Sequence, residues 1–173
     1  MRVEPVTLEG VRSKLVPLQE EHLLPLLEVA QHPQIWTYIP RDISTPESMK
    51  IWYAESMKAQ EQGTEVIFTI IDKETNRPVG STRYMDITLP NRGLEIGWTW
   101  LTPSVWRTRM NTECKYLLLK HGFEELNLLR IQLKTDSRNL RSQRAMERLG
   151  AVREGVLRRH RLLSDGYQRD TVY

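Results

Sequence analysis

Leu94-Glu-Ile-Gly-Trp-Thr-Trp-Leu101, Trp106-Arg-Thr-Arg-Met-Asn-Thr-Glu113 and Asn139-Leu-Arg-Ser142 lie within the span, Glu95 to Leu149, on which the fold turns. In the first segment Leu94, Ile96, Trp98 and Trp100 alternate with Glu95, Gly97, Thr99 and Leu101, which predicts a strand with a carboxylate on one face. From Asn111 or Thr112 to Leu126 apolar residues fall on every side (Cys114, Tyr116, Leu117, Leu118, Leu119, Phe123, Leu126), so a helix there is largely buried against a sheet. Arg130 to Thr135 reads as a strand. Asn139 then caps a short helix whose Ser142, Ala145, Met146 and Leu149 recur at i, i+3, i+4 and i+7, a stripe expected to face the core. Gly150 stands where a helix end favours a left-handed residue. Two final strands, about Ala151 to Leu163 and Tyr167 to Tyr173, are joined by the hairpin signal Asp165-Gly166.

Toward the N-terminus, Arg12 to Leu18 predicts a strand, and Glu20 to Gln31 a helix broken at His32-Pro33. Thr45 precedes Pro46 as an N-cap, with Ser48 where an acid would complete a capping box, and opens a helix to about Gln60 closed by Gly63. Glu65 to Ile71 and Val79 to Ile87 form a hairpin around a polar turn. The order β-α-α-β-β-β-α-β-α-β-β predicts a mixed α/β sheet with helices on both faces. Residues 1–173 are expected to form one domain.

The 173 residues, 39% hydrophobic and 27% charged with a mean hydropathy of -0.51, exclude a membrane protein and a low-complexity chain. No apolar run approaches the roughly 18 residues of a membrane span. The first ten residues carry no hydrophobic leader pattern, so a cytoplasmic protein is expected. The single cysteine, Cys114, rules out an internal disulfide and a multi-cysteine zinc site. Residues 1–106 hold 10 Lys/Arg and 14 Asp/Glu, residues 107–173 hold 15 and 8, so the two parts carry −4 and +7. Such a basic part suits a polyanionic partner, a phosphorylated cosubstrate or a nucleic acid, although solvated helix faces explain it equally.

The order and spacing of these segments resemble the acetyl-CoA-dependent N-acetyltransferases of the GNAT superfamily, and among them the ribosomal-protein N-terminal acetyltransferases. The resemblance runs through nearly the whole chain. It is carried by Leu8-Glu-Gly10, His32-Pro-Gln-Ile-Trp36, Glu95-Ile-Gly-Trp98, Asn111-Thr-Glu113, Asn139-Leu-Arg-Ser142, Arg148-Leu-Gly150, Glu154-Gly155 and Asp165-Gly166. It implies a twisted, mostly antiparallel sheet of about seven strands, and transfer of acetyl from acetyl-CoA to a primary amine by direct attack, without a metal. The acceptor is a protein N-terminus or a small amine, neither nucleic acid nor membrane is a partner, and homodimerisation stays open. Relatives continue past the position of Tyr173, whose carboxylate is expected near a sheet edge.

The same resemblance implies the site. Glu95, eleven residues before Trp106, is the expected general base. Ser142 is expected to protonate the leaving sulfur. Backbone groups of Thr99, Trp100 and Leu101 hold the pantetheine arm, and Trp106, Arg107, Thr108, Arg109, Met110, Asn111 and Thr112 receive the pyrophosphate at a helix start. Asn139 and Arg144 complete the cosubstrate contacts. Trp36, Tyr38 and Trp52 are candidate acceptor walls, with core packing an equal alternative. Arg109 and Asn111 replace the glycines of the family pattern, so Arg109 either bonds phosphate directly or distorts the loop. Distortion would leave a catalytically weak CoA-binding module, and the +7 part keeps a nucleic-acid-binding domain as a third class.

Overall fold

The computed structural model describes residues 2–173. Strands β1 (Leu8–Glu9), β2 (Ser13–Pro17), β3 (Val66–Asp72), β4 (Arg77–Thr88), β5 (Gly93–Leu101) and β6 (Arg130–Gln132) form one sheet in sequence order. All neighbours are antiparallel except β5 and β6. A second sheet has the order β7 (Thr135–Asp136), β9 (Gln168–Val172), β8 (Val156–Leu162). The expected fold class holds, with the sheet divided in two. Tyr173 follows the central strand of the smaller sheet, its amide bonding the Gly155 carbonyl at 3.0 Å, instead of lying at an edge. Among the described residues no helix is long and apolar enough to cross a membrane.

Helix α1 (Leu23–Val29) continues a 3-10 turn at Glu20–His22 and ends before Pro33. Helix α2 (Pro46–Glu61) starts as the sequence predicts. Thr45 Oγ1 accepts the Ser48 amide at 3.1 Å and Ser48 Oγ accepts the Thr45 amide at 3.2 Å, so the serine closes a capping box that it was expected to leave incomplete. Helix α3 (Met110–Lys120) passes into a wider π turn at His121–Glu125, and α4 (Leu140–Arg148) follows β7.

Two apolar clusters flank the larger sheet. One joins Leu15, Phe68, Tyr84, Leu94, Ile96 and Leu101 to Met110, Cys114 and Leu118 of α3. The other joins Leu26, Ile35, Trp36, Met49, Trp52 and Ile67 to Trp100. Trp36 and Trp52 therefore belong to the core, Trp36 donating its indole N–H to the Ala30 carbonyl at 3.0 Å. Helix α4 buries no residue, and Leu140 on it and Val152 shortly after it are exposed.

The alternation expected along β5 breaks at Trp98. Ser81 pairs with Trp100 and Arg83 with Gly97, so β5 carries one residue more than β4 over this interval, and Trp98 takes up the excess at φ 49°. A bulge of this kind exchanges the faces on its two sides. Leu94 and Ile96 share a face with Thr99 and Leu101, while Glu95 and Gly97 share theirs with Trp98 and Trp100. Glu95 and Thr99, expected on one face, lie on opposite ones. Gly80 on β4 allows the strands to come this close, since a Cβ there would stand 2.0 Å from the Trp100 carbonyl oxygen.

Candidate active site

Strands β5 and β6 pair only from Gly93–Leu94–Glu95 to Arg130–Ile131–Gln132, and then part. Beyond Lys134 the chain pairs with β9 instead, which leaves the edge of β5 from Ile96 to Leu101 without a strand beside it. The gap is a cleft of about 300 Å³. Its walls are that free edge, the start of α3, one side of α4, the Tyr38–Pro40 segment and the β8–β9 hairpin.

Glu95 stands where β5 and β6 part, 1% exposed. Its Oε2 accepts Lys134 Nζ at 2.9 Å and Gln132 Nε2 at 3.2 Å, while Oε1 has no side-chain partner among the described residues. Burial raises its pKa; the Lys134 and Gln132 bonds offset this only in part. The result is a carboxylate that binds a proton more readily than usual, with one oxygen free. Gly97, two residues on, leaves room for it, because a Cβ there would meet Glu95 Oε1 at 2.8 Å.

At the start of α3 the main chain shows no strain at the positions of the missing glycines. Arg109 is right-handed, at φ -72° and ψ -7°, and Asn111 lies within the helix, so neither position needs glycine for its backbone conformation. The left-handed residue is Arg107, at φ 60°. Thr108 Oγ1 accepts the Met110 amide at 3.2 Å and donates to the Val105 carbonyl at 2.7 Å, a local cap in the middle of the loop. The Asn111 and Thr112 amides belong to the first turn, where no helix carbonyl reaches them. Arg107, Thr108, Asn111 and Thr112 line the cleft. Arg109 is exposed and Met110 is a fully buried core residue; neither side chain lines it.

On α4 the stripe of Ser142, Ala145, Met146 and Leu149 faces the cleft and not a core, since all four line it and none is buried. Asn139 caps the helix, its Oδ1 accepting the Ser142 amide at 3.1 Å. Ser142 Oγ has no hydrogen-bond partner among the described residues. Arg141 lays its guanidinium 3.9 Å from the centre of the Trp106 ring, bridging the starts of the two helices, and the indole donates to the Leu101 carbonyl at 2.7 Å. Arg144 is exposed and lies outside the cleft lining.

Of the residues expected at the site, the cleft thus gathers Glu95, Ser142, Thr99, Trp100, Leu101, Trp106, Arg107, Thr108, Asn111, Thr112 and Asn139, and of the three aromatic wall candidates only Tyr38. Arg141, expected with Arg138 and Arg144 to ring the α4 start near phosphate, lines the cleft; five further cations were not foreseen there: Lys115, Lys134, Arg148, Arg161 and Arg169. Lys115 had a readable signal, one helical turn after Asn111. It is enclosed on α3, donating to the hydroxyls of Thr99 and, at 3.5 Å, Thr82, and burial pulls its pKa down to about 8. Cys114 beside it is inert, its thiol pushed up to about 11 by burial. Lys134 and Arg169 gave no local signal, because they meet Glu95 and the cleft only through the strand order.

The cleft suits a long, partly apolar and anionic molecule. A free strand edge can bond amide groups, the α4 stripe accepts apolar surface, and two helix starts with arginines accept phosphate.

Comparison with known proteins agrees. A model of the acetyltransferase (GNAT) domain matches residues 12–152. A GCN5-related N-acetyltransferase from Brucella melitensis superposes with a TM-score of 0.91 at 27% identity, over 99% of this chain and 78% of that one. An N-acetyltransferase of Bacillus licheniformis designated p20 is 34% identical over 91 residues, 53% of this chain, which spans about half (51%) of that protein's length. Mycobacterium smegmatis RimJ in complex with CoA-disulfide shares the fold at a TM-score of 0.86 and 20% identity, over 97% of this chain and 85% of its own.

Proposed function

The chain belongs to the GNAT acetyltransferase family, and on that premise we propose that residues 1–173 act as one N-acetyltransferase domain whose cleft takes acetyl-CoA and passes its acetyl group to a primary amine. The observation that carries this reading is the parting of β5 and β6 between two arginine-bearing helix starts, with a buried carboxylate where the strands separate. The α3 start, Arg107, Arg141 and Arg148 hold the phosphates. The β5 edge from Thr99 to Leu101 bonds the pantetheine amides, and Met146 and Leu149 cover its apolar parts.

Acetyl-CoA supplies a thioester. An ammonium must lose its proton before it can attack, and Glu95 Oε1 takes that proton, directly or through one water. Lys134 holds Oε2 and fixes the carboxylate's direction. The amine nitrogen bonds the acetyl carbon as the carbon–sulfur bond breaks, and the Ser142 hydroxyl gives a proton to the departing sulfur. The Asn139-to-Ser142 motif resembles that of the ribosomal-protein N-terminal acetyltransferases, which supports protein N-termini beside small amines as acceptors.

Three measurements test the reading. Calorimetric titration is expected to show acetyl-CoA binding in the micromolar range, and no binding at millimolar ligand rejects it. A screen of amines and N-terminal peptides for thiol release identifies the acceptor class. With that acceptor, Glu95→Gln is expected to lower turnover by roughly a hundredfold or more while acetyl-CoA affinity stays put. The wild-type rate rises with pH as Glu95 and the amine deprotonate, and the variant's rise moves toward the amine's own pKa. An unchanged rate and profile removes Glu95 from the base role.

A further inference from the structure

The cleft contains more positive charge than its carboxylates balance. Among the described residues Glu95 and Asp136 are the only acids that line it. Both are engaged: Glu95 with Lys134 and Gln132, and Asp136 with Arg138, whose amide, Nε and Nη2 approach it at 2.9, 3.0 and 2.7 Å. Arg161 and Arg169 also line the cleft, and neither forms an ion pair among the described residues. They are register partners on β8 and β9, so two guanidinium groups stand directly across from each other, an arrangement that costs stability in an antiparallel pair. Arg169 is 4% exposed, and its one side-chain hydrogen bond runs from Nε to Thr171 Oγ1 at 3.2 Å. Its terminal nitrogens are left for something that enters the cleft.

The charges of Asp136 and Glu95 act on Arg169 but neither carboxylate pairs with it directly, and an enclosed guanidinium with unbonded terminal nitrogens is suited to an oxyanion, which its planar fork can meet with two parallel bonds. The cosubstrate's own phosphates do not meet this need. They are placed by the start of α3 and the Arg141–Trp106 bridge, whereas Arg161 and Arg169 belong to the β8–β9 hairpin. That hairpin approaches the Tyr38 segment: Arg138 lies 3.7 Å from the centre of the Tyr167 ring and 5.8 Å from that of Tyr38. With the phosphates assigned to the helix starts, that end of the cleft is the one left for the acceptor.

We propose that Arg169, with Arg161 beside it, binds an oxyanion carried by the acceptor, so that this enzyme acetylates amines bearing a carboxylate or phosphoryl group. The proposal rests on the acetyl-transfer reading of the cleft.

The test uses three matched pairs of acceptors: β-alanine and β-alaninamide, 2-aminoethylphosphonate and ethylamine, and the amidated peptides Ser-Asp-Asp-Phe and Ser-Asn-Asn-Phe. Thiol release is followed for each, with acetyl-CoA titrated calorimetrically into the same samples. In at least one pair the anionic member is expected to have a kcat/KM about tenfold or more above its partner, the size of one charge-assisted contact. The pair that shows it distinguishes a free carboxylate, a phosphonate and an acidic N-terminus as the source. Arg169→Gln is expected to raise KM for the anionic member by about the same factor, with the neutral member and acetyl-CoA affinity unmoved, and Arg169→Lys to recover part of the loss. If Arg169→Gln does not fold, Arg161→Gln on the edge strand gives the same readout, smaller in size. Equal use of both members in every pair, turnover of none of the six by protein that binds acetyl-CoA, or a preference that survives both glutamine variants overturns the proposal. Failure of the wild type to bind acetyl-CoA overturns the reading beneath it, and this proposal with it.

Discussion

The two helices that wall the cleft are held in opposite ways. Helix α3 buries Met110, Cys114, Lys115 and Leu118 against the larger sheet and is tied to the N-terminal loop through Glu113. Helix α4 buries nothing and turns its apolar stripe to the cleft, anchored by polar contacts such as Gln143 Nε2 to the Ser137 carbonyl at 2.8 Å. A helix shows the same periodic stripe whether its neighbour is a core or a ligand. One wall is therefore completed by the chain itself, and the other by what enters the cleft.

The largest effect expected from this contrast is on folding. Leu118→Ala, at a fully buried position, is expected to lose about 2–5 kcal/mol in urea unfolding, and Leu140→Ala, 59% exposed on α4, no more than about 0.5 kcal/mol. Equal losses would break the comparison. Next comes Lys115, which has to give up hydration to sit inside the fixed wall. Its pKa of about 8 in the folded chain lies below the unfolded 10.5, so the unfolded state holds the proton more tightly between those values. Its contribution to stability rises as pH increases through that window, by up to about 3 kcal/mol. Lys115→Met is expected to be more stable than wild type at pH 7, and the difference to shrink toward pH 10.5. A difference independent of pH would show that the ammonium is not desolvated.

Glu113 sharpens the comparison at the other side of α3. Its carboxylate accepts the amides of Val11, Arg12 and Ser13 at 2.9, 2.9 and 2.6 Å and the Ser13 hydroxyl at 2.6 Å. Burial alone would raise its pKa, but these donors outweigh burial and lower it. Its stabilisation is present above the ordinary glutamate value and is lost as pH falls through the lowered one. Glu113→Gln is expected to lose about 1–3 kcal/mol at pH 7, with the gap from wild type closing in acid. Met146→Ala on α4 is expected to cost little stability, under about 1 kcal/mol without ligand. That variant should instead weaken acetyl-CoA binding, and in wild-type protein hydrogen exchange along α4 should slow on adding acetyl-CoA while α3 barely changes. Equal slowing in both helices would mean that α4 is not completed by ligand.

The sequence by itself determined the element order, the Thr45 and Asn139 caps and the hairpins, because these depend on periodicity and on residues close along the chain, and its motifs carried the resemblance to the family. It also brought most of the candidate site into view, since Glu95, the loop from Trp106 and Ser142 lie at fixed offsets within one segment. Three things were decided only by the tertiary structure. The bulge at Trp98 exchanged the faces of β5, because pairing with β4 and not local alternation sets which residue takes the left-handed turn. The stripe on α4 faced the cleft because β5 and β6 part and leave open space where a core would otherwise meet it. Lys134 reached Glu95, and Arg161 and Arg169 reached the cleft, because parallel pairing and the central position of β9 bring together residues far apart in the chain. Charge acts through space, and which charges meet is settled by strand order.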